Sequence, residues 1–210
     1  MLPAKADPDA QARYLVEELE PRLVQARAGQ RAVFFVDAAP FVLAPFLGFL
    51  WSVTRIFLRA PAGRQRFHVL GALNAITHEL LTVTNDTYIT ATEVCALLRQ
   101  LAALNLDVPL TVVLDNARYQ RCAQVITLAA SLHMELCFLP PYSPNLNLLE
   151  RLWKFVKKPC LYSPSYADFT AFKTAIVQGL AQTHTTQRTA LDSLLTLRFQ
   201  LFAKAQFVPA

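Results

Sequence analysis

The chain has 210 residues, of which 54% are hydrophobic and 17% are charged, and this composition supports a large packed core and excludes an intrinsically disordered protein. Its length favours a single domain with an appended helical piece. The formal net charge of +5 is compatible with binding to nucleic acid but is too small to indicate it alone.

Hydrophobic periodicity predicts an N-terminal helix over Asp9–Ala28 and a first strand over Ala32–Asp37. The later predicted strands cover Arg66–Ile76, Glu79–Thr84, Leu110–Leu114 and Met134–Leu139. The predicted helices run from Thr90 or Thr92 to about Leu104, from about Arg118 to Leu132, from Ser143-Pro144 to Pro159, over Ser165–Thr183 and over Thr186–Leu197. Three strands followed by alternating helices and strands indicate an α/β fold, with a mixed five-stranded sheet covered by helices on both faces.

Two carboxylates, Asp37 and Asp115, each close an apolar predicted strand. Ligands of open α/β sheets gather outside the carboxyl ends of strands. Two carboxylates brought together there would repel each other unless a cation lay between them, and Mg²⁺ typically takes one or two carboxylates plus substrate phosphates. The alternative interpretation is that each side chain only caps the turn or helix that follows it.

The stretch Leu139–Lys158, LPPYSPNLNLLERLWKFVKK, carries two stripes along its predicted helix. One stripe is apolar and consists of Leu146, Leu149, Trp153 and Val156. The other presents an amide, a carboxylate and then ammonium groups, from Asn147, Glu150, Lys154, Lys157 and Lys158. This order suits a metal-binding glutamate followed by phosphate-binding lysines, and the alternative is a solvated helix face with an i,i+4 ion pair.

Three motifs, VFFVDAAPF, VVLDNARYQ and LPPYSPNLNLLERLWKFVKK, together resemble the catalytic domain of bacterial insertion-sequence transposases of the mariner-like superfamily, the DDE transposases. The third motif is the most specific, and the 34 residues between Asp115 and Glu150 fit the spacing of that superfamily. The resemblance implies an RNase H-like, retroviral-integrase-like fold. It divides the chain into an N-terminal helix at residues 1–30, a DDE catalytic core at 31–160 and a C-terminal helical extension at 161–210.

The resemblance implies that Asp37, Asp115 and Glu150 are the catalytic residues and bind two Mg²⁺ ions, for which Mn²⁺ can substitute. The implied reaction is phosphodiester cleavage at a transposon end, after which the freed 3′-hydroxyl attacks target DNA. Asn116 and Asn147 are expected to orient the carboxylates. Contacts with the DNA backbone are expected from Arg64, Arg66, Arg151, Lys154, Lys157 and Lys158.

The expected partners are DNA, further copies of this chain and a separate helix-turn-helix chain, because only one helix precedes the first strand. The four cysteines lack the spacing of a zinc site, and scattered single cysteines in a chain of this length are typical of reduced thiols, which favours the bacterial cytoplasm. One alternative is a transposase relic that binds DNA without turnover, either weakened by Pro40 just past Asp37 or truncated and without a DNA-reading domain. Another is a membrane-associated protein that uses the uncharged stretch Ala38–Thr54.

Overall fold

The computed structural model describes residues 6–43, 64–162, 166–183 and 185–201. Within these ranges the strands are β1 (Ala32–Leu43), β2 (Gln65–Asn74), β3 (Leu80–Asn85), β4 (Leu110–Leu114) and β5 (Met134–Phe138). They form a five-stranded sheet in the order β3-β2-β1-β4-β5. The β3, β2 and β1 pairings are antiparallel and the β1, β4 and β5 pairings are parallel, so the mixed sheet predicted from the sequence is confirmed.

The N-terminal helix consists of α1 (Pro8–Tyr14), a π-helical turn (Leu15–Leu19) and α2 (Glu20–Arg27). The π-helical turn comes just before Pro21, whose ring and missing N–H do not fit regular α-helical bonding. The other described helices are α3 (Ala91–Ala102), α4 (Ala123–Ser131), α5 (Leu148–Tyr162), α6 (Phe169–Gln182) and α7 (Arg188–Leu194).

Alternate residues of β1 pack against helices on opposite faces of the sheet. Phe34 and Val36 belong to a core cluster with α3 and α4. Val33 and Phe35 belong to a second cluster, with the N-terminal helix, α5, α6 and α7. Because successive strand side chains point to opposite faces, the sheet is a central layer covered on both sides, as the sequence predicted.

The first strand does not end at Asp37, and this part of the prediction was wrong. β1 continues to Leu43, with Asp37 near its middle. Pro40 is exposed and still has His68 of β2 opposite it, whereas the pairing of β1 with β4 ends at Phe35. A proline is tolerated where one side of a strand has no neighbour, so Pro40 does not break the strand.

The stretch considered as a membrane segment begins as strand, since Ala38–Leu43 belongs to β1. Its remainder, residues 44–54, lies outside the described residues. In the part of the chain that the structure describes, no helix combines the length and apolar character needed to cross a bilayer.

Both boundaries of α5 also differ from the sequence prediction. A 3₁₀ turn at Pro144–Leu146 precedes α5, which begins only at Leu148 because the extended backbone of Asn147 separates the two. Pro159 does not end α5, which continues to Tyr162. The buried Cys160, in the same cluster as α6, stabilises this last turn by packing.

Charged side chains join the amino-terminal ends of the parallel strands. Glu135 of β5 accepts hydrogen bonds from Arg22 and Arg31, each at 2.6 Å, and from Thr111 at 2.8 Å. Arg22 is the largest cause that lowers the pKa of Glu135 to about 2. The cluster fixes α2, β4 and β5 against each other at the end of the strands opposite Asp115.

Candidate active site

The register of two parallel strands brings Asp37 and Asp115 side by side. Phe35 of β1 lies opposite Val113 of β4, and each aspartate follows two residues later. Asp37 therefore lies on the face of the sheet that carries Phe35. Asp115 directly follows Leu114, the last residue of β4, at the same end of the two strands. Both line the same cavity, whose volume is about 220 Å³.

Glu150 reaches this cavity from the first turn of α5. The start of α5 is held by Asn147, whose Oδ1 accepts from the backbone N–H of Leu149 at 3.0 Å and whose Nδ2 donates to the carbonyl of Val36 at 3.1 Å. Val36 directly precedes Asp37, so this amide connects the helix that carries Glu150 to the strand that carries Asp37. The three acids proposed from the sequence thus line one cavity.

Three acids line the cavity, and their charges interact. Burial first, and then the charges of Glu150 and Asp115, raise the pKa of Asp37 to about 7, against hydrogen bonds from the Ala38 N–H and Trp153. Burial and the charges of Asp115 and Asp37 raise the pKa of Tyr119 to about 12. No ion pair among the described residues involves any of the three acids.

Carboxylate oxygens without a cationic side chain between them suit a hard divalent cation. Among the described residues, no three Asp, Glu, His or Cys side chains are close enough to hold one ion together. Each ion would therefore be bound by one or two of Asp37, Asp115 and Glu150, and water or phosphate oxygens would complete its coordination.

Neither asparagine proposed to orient the carboxylates bonds to them. Asn116 donates to the carbonyl of Leu139 and accepts from Nη1 of Arg121 at 2.8 Å. It connects the end of β4 to the loop after β5, as Asn147 connects α5 to β1. Both amides satisfy backbone groups and so shape the wall of the cavity.

A functional contact that the sequence interpretation missed comes from Trp153. It was assigned to the apolar stripe, and it is indeed buried, but its Nε1 donates to Oδ2 of Asp37 at 3.0 Å. Two signals were available in the sequence. A buried indole N–H needs an acceptor, and a residue three positions after Glu150 lies on a neighbouring part of the helix surface.

The basic residues proposed to contact DNA fall into separate groups. Lys154 and Lys158 are exposed on α5, and Lys157 places its Nζ 5.5 Å from the centre of the Phe41 ring. Arg64 and Arg66 are exposed at the start of β2 and line a different cleft from the acids.

Arg151, which the sequence predicts to contact DNA, binds backbone carbonyls of this chain. Its Nη1 donates to the carbonyl of Thr196 and its Nη2 to that of Arg198, both at 2.7 Å. Its guanidinium also lies over the ring of Phe199, 5.8 Å from the ring centre. These bonds hold the segment after α7, residues 195–201, against α5.

A sequence profile of the DDE superfamily endonucleases matches residues 32–173, which is more than half of the chain. The chain belongs to the DDE superfamily of endonucleases. The match spans Asp37, Asp115 and Glu150, and thus all three acids of the cavity. No curated protein sequence matches the chain significantly.

Solved structures of Mos1 transposase resemble this DDE domain in fold. The Mos1 mariner paired-end complex with Mn aligns with a TM-score of 0.59 at 13% identity, over 95% of this chain and 66% of that chain. The paired-end complex with the left transposon end gives a TM-score of 0.56 at 12% identity, over 92% and 64%. At these identities the likeness shows the fold alone, which confirms the RNase H-like architecture. This chain spans slightly less than two thirds of the length of those transposase chains.

Proposed function

We propose that this domain is the catalytic domain of a transposase, which cleaves DNA phosphodiester bonds at transposon ends and joins the freed strand to target DNA. One observation carries the proposal. Three separate elements of a DDE endonuclease domain deliver Asp37, Asp115 and Glu150 to one cavity. The fold shared with Mos1 transposase in a strand transfer complex supports it, with a TM-score of 0.52 at 13% identity, over 93% of this chain and 65% of that chain.

The proposed cofactor is a pair of Mg²⁺ ions held by Asp37, Asp115 and Glu150, with Mn²⁺ as a substitute. Bound ions of this kind activate the attacking oxygen and stabilise the leaving oxygen of a phosphoryl displacement. The uncompensated negative charge of the cavity supports this assignment, because burial and like charges disfavour the ionised carboxylate in the absence of a cation. A structurally similar Mos1 complex contains Mn.

The proposed DNA contacts begin on α5. Lys154 and Lys158 are exposed on the helix that carries Glu150, and Lys157 lies between them in sequence. Ammonium groups there would bind phosphates close to the scissile bond and make the affinity depend on salt concentration. Arg64 and Arg66 are proposed as a second phosphate contact, at the start of β2.

The proposed partners are further copies of this chain and a separate helix-turn-helix chain that recognises the transposon end. A structurally similar Mos1 transposase forms a paired-end complex, which supports an assembly of more than one copy.

The proposed compartment is the bacterial cytoplasm, on nucleoid DNA. The four cysteines of the chain are free thiols, as expected in a reducing compartment.

The test is cleavage of pre-nicked or flanked DNA by the purified chain with Mg²⁺ or Mn²⁺. Asp115→Asn should lower the cleavage rate at least about 100-fold, because it removes a charged metal ligand. Asp107→Asn is the matched control, since Asp107 is exposed and does not line the cavity, and it should cleave like the wild type. Equal activity of Asp115→Asn and the wild type would contradict an enzymatic role for the site.

A further inference from the structure

The indole of Trp153 is a buried donor with one specific acceptor. Trp153 is 3% exposed, and its Nε1, the only polar atom of the side chain, donates to Oδ2 of Asp37 at 3.0 Å. Among the described residues, Trp153 is the only one whose side chain donates a hydrogen bond to Asp37. This bond fixes the position of Oδ2 of the carboxylate relative to α5.

Gly71 gives the indole the space that this position requires. Gly71 of β2 lies directly opposite Asp37 of β1 in the antiparallel register. A Cβ at Gly71 would lie 2.9 Å from Cη2 and 3.0 Å from Cζ2 of Trp153, closer than carbon atoms approach each other. The glycine is therefore needed for the close approach of the ring to the strand backbone.

A second contact fixes the same ring. Phe41, four residues after Asp37 on β1, meets Trp153 edge to face, with 6.3 Å between ring centroids and an interplanar angle of 89°. Phe41 and Trp153 are both fully or nearly fully buried, so the ring has little freedom to turn. The indole N–H is thus aimed at Asp37 by packing on two sides.

We propose that Trp153, seated against Gly71, is a positioning residue that holds the Asp37 carboxylate in its metal-binding orientation; this inference rests on the proposed function of the cavity. Asp37 lies next to two other acids whose charges would otherwise drive it away from them. A rigid donor opposes that displacement before any cation arrives. Such outer hydrogen bonds orient metal-binding side chains, and their loss weakens metal affinity.

The first test is Trp153→Phe, which keeps an aromatic ring and removes the N–H. Mn²⁺ affinity, measured by electron paramagnetic resonance of the free ion, should fall about 10-fold. The kcat of DNA cleavage should fall with it while KM for DNA stays unchanged. The control is Val156→Ala, a packing change one turn further along α5 at a residue that is 2% exposed. It should lower the melting temperature without changing Mn²⁺ affinity.

A double-mutant cycle tests the part played by Gly71. In the wild type, Gly71→Ala should weaken Mn²⁺ binding as Trp153→Phe does, because the new methyl group must displace the indole. In the Trp153→Phe background the same change should have almost no further effect, since phenylalanine lacks Cη2 and Cζ2. Equal losses in both backgrounds would overturn the proposed coupling.

A readout without metal separates this inference from the function of the cavity. The ¹⁵N–¹H resonance of the Trp153 indole should shift in metal-free Asp37→Asn, and an unchanged resonance would overturn the inference. A wild type that binds no Mn²⁺ and cleaves no DNA contradicts both the function and the inference. A wild type that binds Mn²⁺ while Trp153→Phe binds it equally well contradicts only the positioning role.

Discussion

The surroundings of Asp37 disfavour its ionised form, because the side chain is buried and lies near two other acids. Its pKa of about 7 in the fold compares with about 3.9 in an unfolded chain. Because the folded value is the higher one, this group's contribution to stability is complete below about pH 4 and is lost as the pH rises through 7. Ionised Asp37 therefore destabilises the metal-free fold, a cost typical of catalytic sites.

Asp37→Asn should consequently stabilise the metal-free protein. In EDTA at pH 8, the free energy of unfolding from urea titrations should rise by about 2 kcal/mol, below the limit of about 4 kcal/mol set by a pKa of about 7 in the fold against about 3.9 in the unfolded chain. At pH 4 the gain should be absent, because Asp37 is already protonated there. Saturating Mn²⁺ should stabilise the wild type more than the variant. A variant less stable than the wild type at pH 8 would contradict the assigned electrostatics.

At the scale of the helix, α5 directs different side chains to different neighbours. Glu150 lines the cavity and Trp153 donates to Asp37, whereas Lys154 is exposed and Arg151 binds the segment after α7. With about 100° between successive residues, side chains of one helix can face the cavity, the solvent and a neighbouring segment of the chain. The two basic residues therefore have separable roles despite their similar charge.

Matched substitutions on α5 should separate those roles. Arg151→Gln should lower the free energy of unfolding by about 1–3 kcal/mol, because it leaves backbone carbonyls without their charged donor, and should leave the salt dependence of DNA binding unchanged. Lys154→Gln should keep stability within about 0.5 kcal/mol and reduce the slope of log K against log salt by about 1. Urea titrations and fluorescence anisotropy measure both. A reduced slope for Arg151→Gln alone would contradict this division.

The sequence predicted the strands well where apolar runs end at clear turn residues, as at Leu110–Leu114 and Met134–Phe138. It failed for β1, because Asp37 and Pro40 indicate an ending by local rules. The strand continues through tertiary pairing with β2, which local patterns do not show. The helix predicted from Arg118 begins only at Ala123, after a turn in which Asp115 accepts from the N–H of Ala117.

At the scale of the whole molecule, the meeting of the three acids could be predicted and the support around them could not. Asp37 and Asp115 end up together because adjacent parallel strands share a register, which is a general property of sheets. The contact of Trp153 with Asp37 depends on how α5 crosses β1 and β2, at a glycine that leaves room for an indole. That crossing is a matter of packing between distant segments, and so no single motif contains it.

Diffraction from crystals grown with Mn²⁺, measured at the manganese absorption edge, tests most directly whether the three acids form one metal-dependent site. Manganese should appear in the cavity, each ion coordinated by oxygens of one or two of Asp37, Asp115 and Glu150, and should be lost in crystals of Asp115→Asn. An empty cavity in a protein that cleaves DNA with Mn²⁺, or manganese bound only elsewhere on the chain, would contradict the assignment.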